Sequence, residues 1–145
     1  MRLNPATCQR LLSDARVARL ATIGPAGPHI VPIVFALAGD TVVSVIDDKP
    51  KATRRLQRLA NLAADPRASL LADVYDDDWD LLWWVRVDGQ ASVRPEPDAL
   101  EAALAALRPR YPQYRTAPPS GPVIELHVQR WSGWAATPAA ITRPS

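Results

Sequence analysis

The chain has 145 residues, 48% of them hydrophobic and 22% charged, enough to bury a core and to form one domain over residues 1–145. Its 17 basic and 15 acidic residues leave a formal charge of only +2, too small an excess for a nucleic-acid-coating surface. No apolar run approaches the ~20 residues of a membrane-spanning helix. A single cysteine, Cys8, excludes an internal disulfide framework, and Met1-Arg2-Leu3-Asn4-Pro5 lacks the pattern of a secretory signal. The expected setting is cytoplasmic. Fifteen of the basic residues are Arg and two are Lys, a bias that reads as GC-rich coding, so single arginines carry little functional weight. The two lysines, Lys49 and Lys51, stand out against it.

Asn4-Pro5 reads as an N-cap followed by proline at the first helical position, with a helix running to about residue 15. Residues 17–23 are strand-like, and Gly24-Pro25-Ala26-Gly27-Pro28 is a turn. A second strand is expected over 29–38, a hairpin turn at Gly39-Asp40 and a third strand over 41–46, with Pro32 marking an edge or a bulge. Over 50–64, Ala52, Leu56, Leu59, Ala60 and Ala63 form one helical apolar stripe. Lys51, Arg54, Arg55 and Arg58 lie off that stripe as a basic flank, and Asp65-Pro66 ends the helix.

A fourth strand follows over 67–75, then an acidic turn at Asp76-Asp77-Asp78-Trp79-Asp80 and a fifth strand over 81–93. Asp98 is the expected cap of a helix over 99–107. A loop over 109–122 leads to a last strand from 123 to 128, extended toward residue 134. The order contains no βαβ crossover series. It predicts a mainly β protein with flanking helices, an antiparallel barrel with the helices packed outside.

Two groups of residues could carry chemistry. In Asp47-Asp48-Lys49-Pro50-Lys51 a strand ends and a helix begins, and a helix N-terminus beside two ammonium groups is a seat for phosphate or carboxylate. Arg54, Arg55 and Arg58 extend that field along the helix, although a solvated face with Asp47 and Asp48 against the lysines fits the same residues. In Leu82-Trp83-Trp84-Val85-Arg86-Val87-Asp88, alternation sends Trp83, Val85 and Val87 to a core and Trp84, Arg86 and Asp88 outward. An indole beside a guanidinium can cover a planar ring, and can equally be an interface tryptophan with a paired arginine. Five tryptophans favour a subunit interface. His29 and His127 have no second ligand at metal spacing, the aspartate turn lacks the calcium-loop pattern, and no nucleophile motif or dinucleotide fingerprint is present.

In order along the chain, Ala18-Arg19-Leu20-Ala21-Thr22-Ile23, Pro28-His29-Ile30-Val31-Pro32-Ile33-Val34, Lys51-Ala52, Asp65-Pro66-Arg67-Ala68-Ser69-Leu70-Leu71 and Val85-Arg86-Val87-Asp88-Gly89 resemble the split β-barrel proteins of the pyridoxamine-phosphate-oxidase-like superfamily. Tyr75-Asp76-Asp77-Asp78-Trp79 with Leu82-Trp83-Trp84-Val85-Arg86 resembles an actinobacterial branch that uses the deazaflavin coenzyme F420. The resemblance implies a six-stranded antiparallel split barrel of the FMN-binding type and a homodimer with cofactor sites at the subunit interface. The ring would lie near Pro32, Ile33, Val34, Ile46 and Asp47, with Lys51 at the phosphate and Lys49, Arg54 and Arg55 toward the acidic tail. Trp84 stands where the oxidases carry a flavin-touching glutamine, which argues against pyridoxamine phosphate oxidation. The implied reaction is hydride transfer between F420 and an electron-poor small molecule such as an enone or quinone, with no catalytic residue assigned and no metal. FMN in place of F420, and a non-catalytic flavin or haem carrier, are the alternative expectations.

Overall fold

The computed structural model describes residues 1–47 and 53–142, and the side chains of these apart from residues 53–56. Helix α1 (Pro5–Asp14) starts as its sequence dictates: the Asn4 side chain accepts from the Thr7 N–H at 2.8 Å, and Pro5 takes the first turn. Seven strands follow in a single antiparallel sheet: β1 (Ala18–Gly24), β2 (Gly27–Ile33), β3 (Ala36–Ala38), β4 (Thr41–Val45), β5 (Arg67–Val74), β6 (Trp83–Arg94) and β7 (Val123–Ala135). Helix α2 (Thr53–Ala64) lies between β4 and β5, α3 (Pro97–Leu107) and the short α4 (Gln113–Thr116) between β6 and β7, and α5 (Pro138–Ile141) closes the described chain.

The sheet order is β2-β1-β5-β6-β7-β4-β3. Its two edge strands are therefore consecutive in sequence, joined only by Val34 and Phe35. Three Cα steps between Ile33 and Ala36 span at most about 11 Å, so the sheet must curl until its edges nearly meet. No ladder joins β2 to β3 among the described residues, so the curled sheet stays open at that seam. Two expectations are corrected here. The sheet has seven strands rather than six, and the run over 29–38 is not one strand but two, at opposite edges of the sheet. Pro32 does sit on an edge strand, where the N–H it lacks has least use.

The break at Val34 and Phe35 has a clear physical reason. Phe35 is fully buried, so its backbone groups, with no ladder to join, need other partners. The Tyr111 hydroxyl accepts from the Phe35 N–H at 3.2 Å and lies 2.7 Å from the Arg16 carbonyl, to which it donates. Arg110 Nε donates to the Phe35 carbonyl at 3.0 Å, while its two terminal nitrogens donate to the Ser13 and Ala15 carbonyls at the end of α1. The same guanidinium stands 5.3 Å from the Phe35 ring centroid. Ser44 Oγ donates to the Val34 carbonyl at 2.9 Å. Side chains thus do at the crossing what a ladder does elsewhere.

Helix α2 is seated on β1 by a buried polar contact. Asn61, almost fully buried, accepts from Gln57 Nε2 at 2.6 Å and donates to Thr22 Oγ1 at 3.1 Å. Around it the core is aliphatic, with Leu12, Leu20, Leu70, Val85, Val87 and Leu126 all inside. A smaller cluster of Val43, Val45, Leu107, Tyr111 and Val123 packs beneath α3. That helix starts at Pro97 with Glu96 at the cap position and no side-chain cap bond, so Asp98 lies in its first turn and is not the expected cap. A bulge between Asp88 and Gly89 lets β7 approach β6; a Cβ on Gly89 would stand 2.0 Å from the His127 carbonyl oxygen.

Two stability measurements follow from this packing. Tyr111→Phe strands the buried Phe35 N–H and the Arg16 carbonyl, and is expected to lower stability by about 1–3 kcal/mol in urea unfolding, with the slope m unchanged. Gly89→Ala forces β7 away from the bulge and is expected to cost a further ~1–3 kcal/mol in the same assay, measured singly.

Candidate functional site

The crossing builds a cleft on its outer side. Pro32, Ile33 and Val34 form one wall, and Ser44, Val45, Ile46 and Asp47 the other; Arg58 of α2 and Tyr114 of α4 complete it. The floor is held by backbone bonds: Ile46 N–H donates to the Pro122 carbonyl at 2.9 Å, and the Gly121 N–H donates to the Ile46 carbonyl at 3.2 Å. Ser44 is spent on Val34, which fixes the two walls relative to each other. The cleft encloses about 170 Å³, below the ~300 Å³ at which ligand pockets begin. It can take an anionic group or the edge of a ring, but not a whole dinucleotide-sized cofactor, without a further wall.

Five sequence-predicted residues, Pro32, Ile33, Val34, Ile46 and Asp47, meet in this one cleft. Lys49 and Lys51 lie outside the described residues. Arg54 and Arg55 fall in the first turn of α2, and their side chains also lie outside the described set. Two further residues enter that the sequence reading did not place here. Arg58, on the basic flank of α2, lines the cleft. Tyr114 came from a loop with no periodicity to assign it a face. Burial first, then the Asp47 carboxylate and the neighbouring Tyr111, push the Tyr114 hydroxyl above its ordinary pKa. It therefore stays protonated at neutral pH and remains a hydrogen-bond donor at the cleft.

Trp84 is not brought to the cleft. Register runs Pro32–Arg19–Leu71–Arg86 across β2, β1, β5 and β6, so Trp84 lies three strand spacings away, about 14 Å along the sheet. It belongs instead to the outer face of the sheet, beside Ile30 and Leu71, over a shallow hollow of about 550 Å³. Ile30 is 65% exposed, and Leu71 and Trp134 add to an open apolar surface. The expected alternation along β6 holds from Trp84 onward, with Val85 and Val87 buried and Trp84, Arg86 and Asp88 on the outer face, whereas Trp83, expected in the core, is only half-buried at its edge.

On that face the guanidinium is paired. Asp88 accepts from Ser69 Oγ at 2.6 Å, Arg86 Nε at 3.2 Å and Arg130 at 3.3 Å. Partial burial works to raise its pKa, but the Ser69 hydrogen bond and the two guanidiniums outweigh it, so the carboxyl sits below its ordinary value. Arg19 pairs with Asp73 at 3.0 Å. The aspartate turn is equally local in character: Asp76 accepts from the Asp78 N–H, and Asp78 accepts from the Asp80 N–H as the N-cap of a 3₁₀ turn at Trp79–Leu81.

Known proteins place this geometry. Among solved structures, a conserved hypothetical protein from Mycobacterium tuberculosis is 24% identical, covering 99% of this chain and 91% of its own, with a TM-score of 0.77. An FAD-binding protein from Mesorhizobium loti is 20% identical over 92% and 95% of the two chains, TM-score 0.70. A haem-binding protein from Mycobacterium smegmatis is 24% identical over 96% of this chain and 61% of its own, TM-score 0.66. These likenesses establish the fold. No curated protein matches in sequence. The family model described as pyridoxamine 5'-phosphate oxidase matches residues 5–135, nearly the whole chain, and the protein belongs to that family.

Proposed function

We propose that the protein is a cytoplasmic oxidoreductase that holds the deazaflavin coenzyme F420 at the crossing cleft and reduces an electron-poor small molecule such as an enone or quinone. The observation that carries this reading is the meeting of Pro32, Ile33, Val34, Ile46 and Asp47 in one cleft at the flank of α2, with Arg58 lining it. Family membership supports a flavin-type ligand, and two similar structures are described as FAD-binding. The choice of F420 over FMN rests on charge. Arg54, Arg55 and Arg58 follow one another along α2, beyond Lys49 and Lys51, and suit an acidic tail that FMN lacks.

The cofactor supplies the hydride when bound; the protein's part is to bind, orient and shield. Pro32, Ile33 and Val34 offer an apolar wall for a ring edge, and Arg58 a cation at its side. The Tyr114 hydroxyl offers a donor at the mouth. Because one chain encloses only part of the volume required, the reading includes a homodimer in which the partner's outer sheet face completes the site. The surface of exposed Ile30, Leu71 and Trp134 with half-buried Trp84 is of the kind that a second subunit covers. A haem or flavin carrier is the second reading, favoured by the similar haem-binding structure and by a cleft that leaves little room for a substrate above a ring.

Equilibrium titration with oxidised F420, FMN and haem, at low and high salt, separates these readings. F420 is expected to bind most tightly and to weaken severalfold between about 0.05 and 0.5 M salt, because the contacts are ionic and screened. Preference for FMN or haem would overturn the deazaflavin assignment. Lys51→Ala is expected to raise the F420 dissociation constant about tenfold without lowering the unfolding midpoint. Leu71→Asp is expected to convert the dimer to monomer in analytical ultracentrifugation and to weaken cofactor binding with it. An unchanged dimer would remove that face from the interface.

A further inference from the structure

A third concavity lies apart from both the cleft and the hollow beside Trp84. It encloses about 570 Å³ between the end of α1, the start of β1, the β5–β6 turn and α5. Polar and apolar surface share its lining about equally, and Leu11, Val17, Val74, Leu81, Trp83 and Ile141 supply the apolar part. Val17, Val74 and Tyr75 at its rim are 42%, 40% and 74% exposed, so three large side chains with apolar bodies stand in water around one opening. An aqueous surface this size leaves that apolar area in water at a cost of about 25 cal/mol per Å² unless something covers it.

The rim is charged, and its balance has a sign. Arg10, Arg16 and Arg19 face two carboxylates, Asp14 and Asp73. Arg19 and Asp73 satisfy each other at 3.0 Å, which leaves two guanidiniums against Asp14 alone. Each of the two is fixed by one hydrogen bond to a backbone carbonyl: Arg10 Nη2 to Ile141 at 2.7 Å, and Arg16 Nη1 to Arg110 at 2.6 Å. A guanidinium has five N–H donors, so each keeps others for an incoming acceptor. Anchored this way, neither has to lose much side-chain freedom on binding.

We propose that this cavity is a second ligand site, separate from the crossing cleft, for a small apolar monoanion: a ring system of one to three rings bearing a single carboxylate or sulfonate. The body would lie against Trp83, Leu81 and Ile141, and the anion would meet Arg16 and Arg10. The volume falls within the ~300–1,000 Å³ range of small-molecule pockets, and a lining that is part apolar and part cationic suits an amphipathic anion better than a neutral apolar molecule.

The test uses the full chain without added cofactor, so its outcome is independent of the F420 reading. The probe is 1-anilinonaphthalene-8-sulfonate, followed by its own fluorescence and by Trp83 quenching, alongside the uncharged N-phenyl-1-naphthylamine. Saturable binding of one sulfonate per chain is expected, about tenfold tighter than the neutral probe. Val17→Asp and Val74→Asp, both at partly exposed wall positions, are each expected to weaken the sulfonate about tenfold, and Arg16→Gln to erase most of its advantage over the neutral probe. Trp79→Ala, an exposed aromatic on the adjacent turn that does not line the cavity, is expected to change nothing. Non-saturable binding, equal affinity for both probes, or loss on Trp79→Ala without loss on Val17→Asp and Val74→Asp would each overturn the proposal.

Discussion

Everything positioned in this protein depends on how two residues cross from one edge of the sheet to the other. Val34 and Phe35 leave the ladder of β2 and enter that of β3, which lies at the far end of the strand order. A backbone that leaves a ladder inside a core carries the full desolvation cost of its polar groups unless they find partners. Ser44 of β4 and the neighbouring Arg110 and Tyr111 after α3 provide those partners. The curl of the sheet, the docking of α1 and the placement of the loop after α3 are held at one point.

The cleft is a by-product of the same crossing. A closed ladder would fill the seam between β2 and β3 with hydrogen bonds; the open seam leaves walls of Pro32, Ile33 and Val34 against Ile46 and Asp47. Helix α2 then brings Arg58 to it, and the azimuth of that helix is set by Asn61, whose amide fits over Gly24 where a Cβ would stand 2.8 Å away. A polar contact inside an apolar helix–sheet interface allows one rotation of the helix where leucine would tolerate several. Arg58 is thereby held at the cleft's side rather than left to slide across the sheet.

Much of this was legible locally. Asn4-Pro5, the turn at 39–40, the Asp65-Pro66 stop and the outward set of Trp84, Arg86 and Asp88 follow from short-range rules and appear as expected, whereas the turn expected over 24–28 narrows to Pro25-Ala26, with Gly27 and Pro28 already in β2. The strand break was not legible, because 29–38 is one continuous β-rich run and the hydroxyl that caps Phe35 comes from a residue 76 positions away. Arg110 shows the same limit from another side: a chain with fifteen arginines gives no local sign of which one organises the core. At the site, the strand residues were accessible through the family resemblance, whereas Tyr114 and the inward reach of Arg58 depend on tertiary placement alone.

On the proposed reading the cofactor sits at the strand crossing. Hydrogen–deuterium exchange of the full chain, with and without saturating F420 or FMN, measures this directly. The result that agrees is slowed exchange confined to residues 30–36, 44–47 and the N-terminal half of α2, with the outer face of β5 and β6 protected in step if a partner subunit completes the site. Protection centred on the β5–β6 turn, or a bound cofactor that leaves residues 30–36 unchanged, would contradict it.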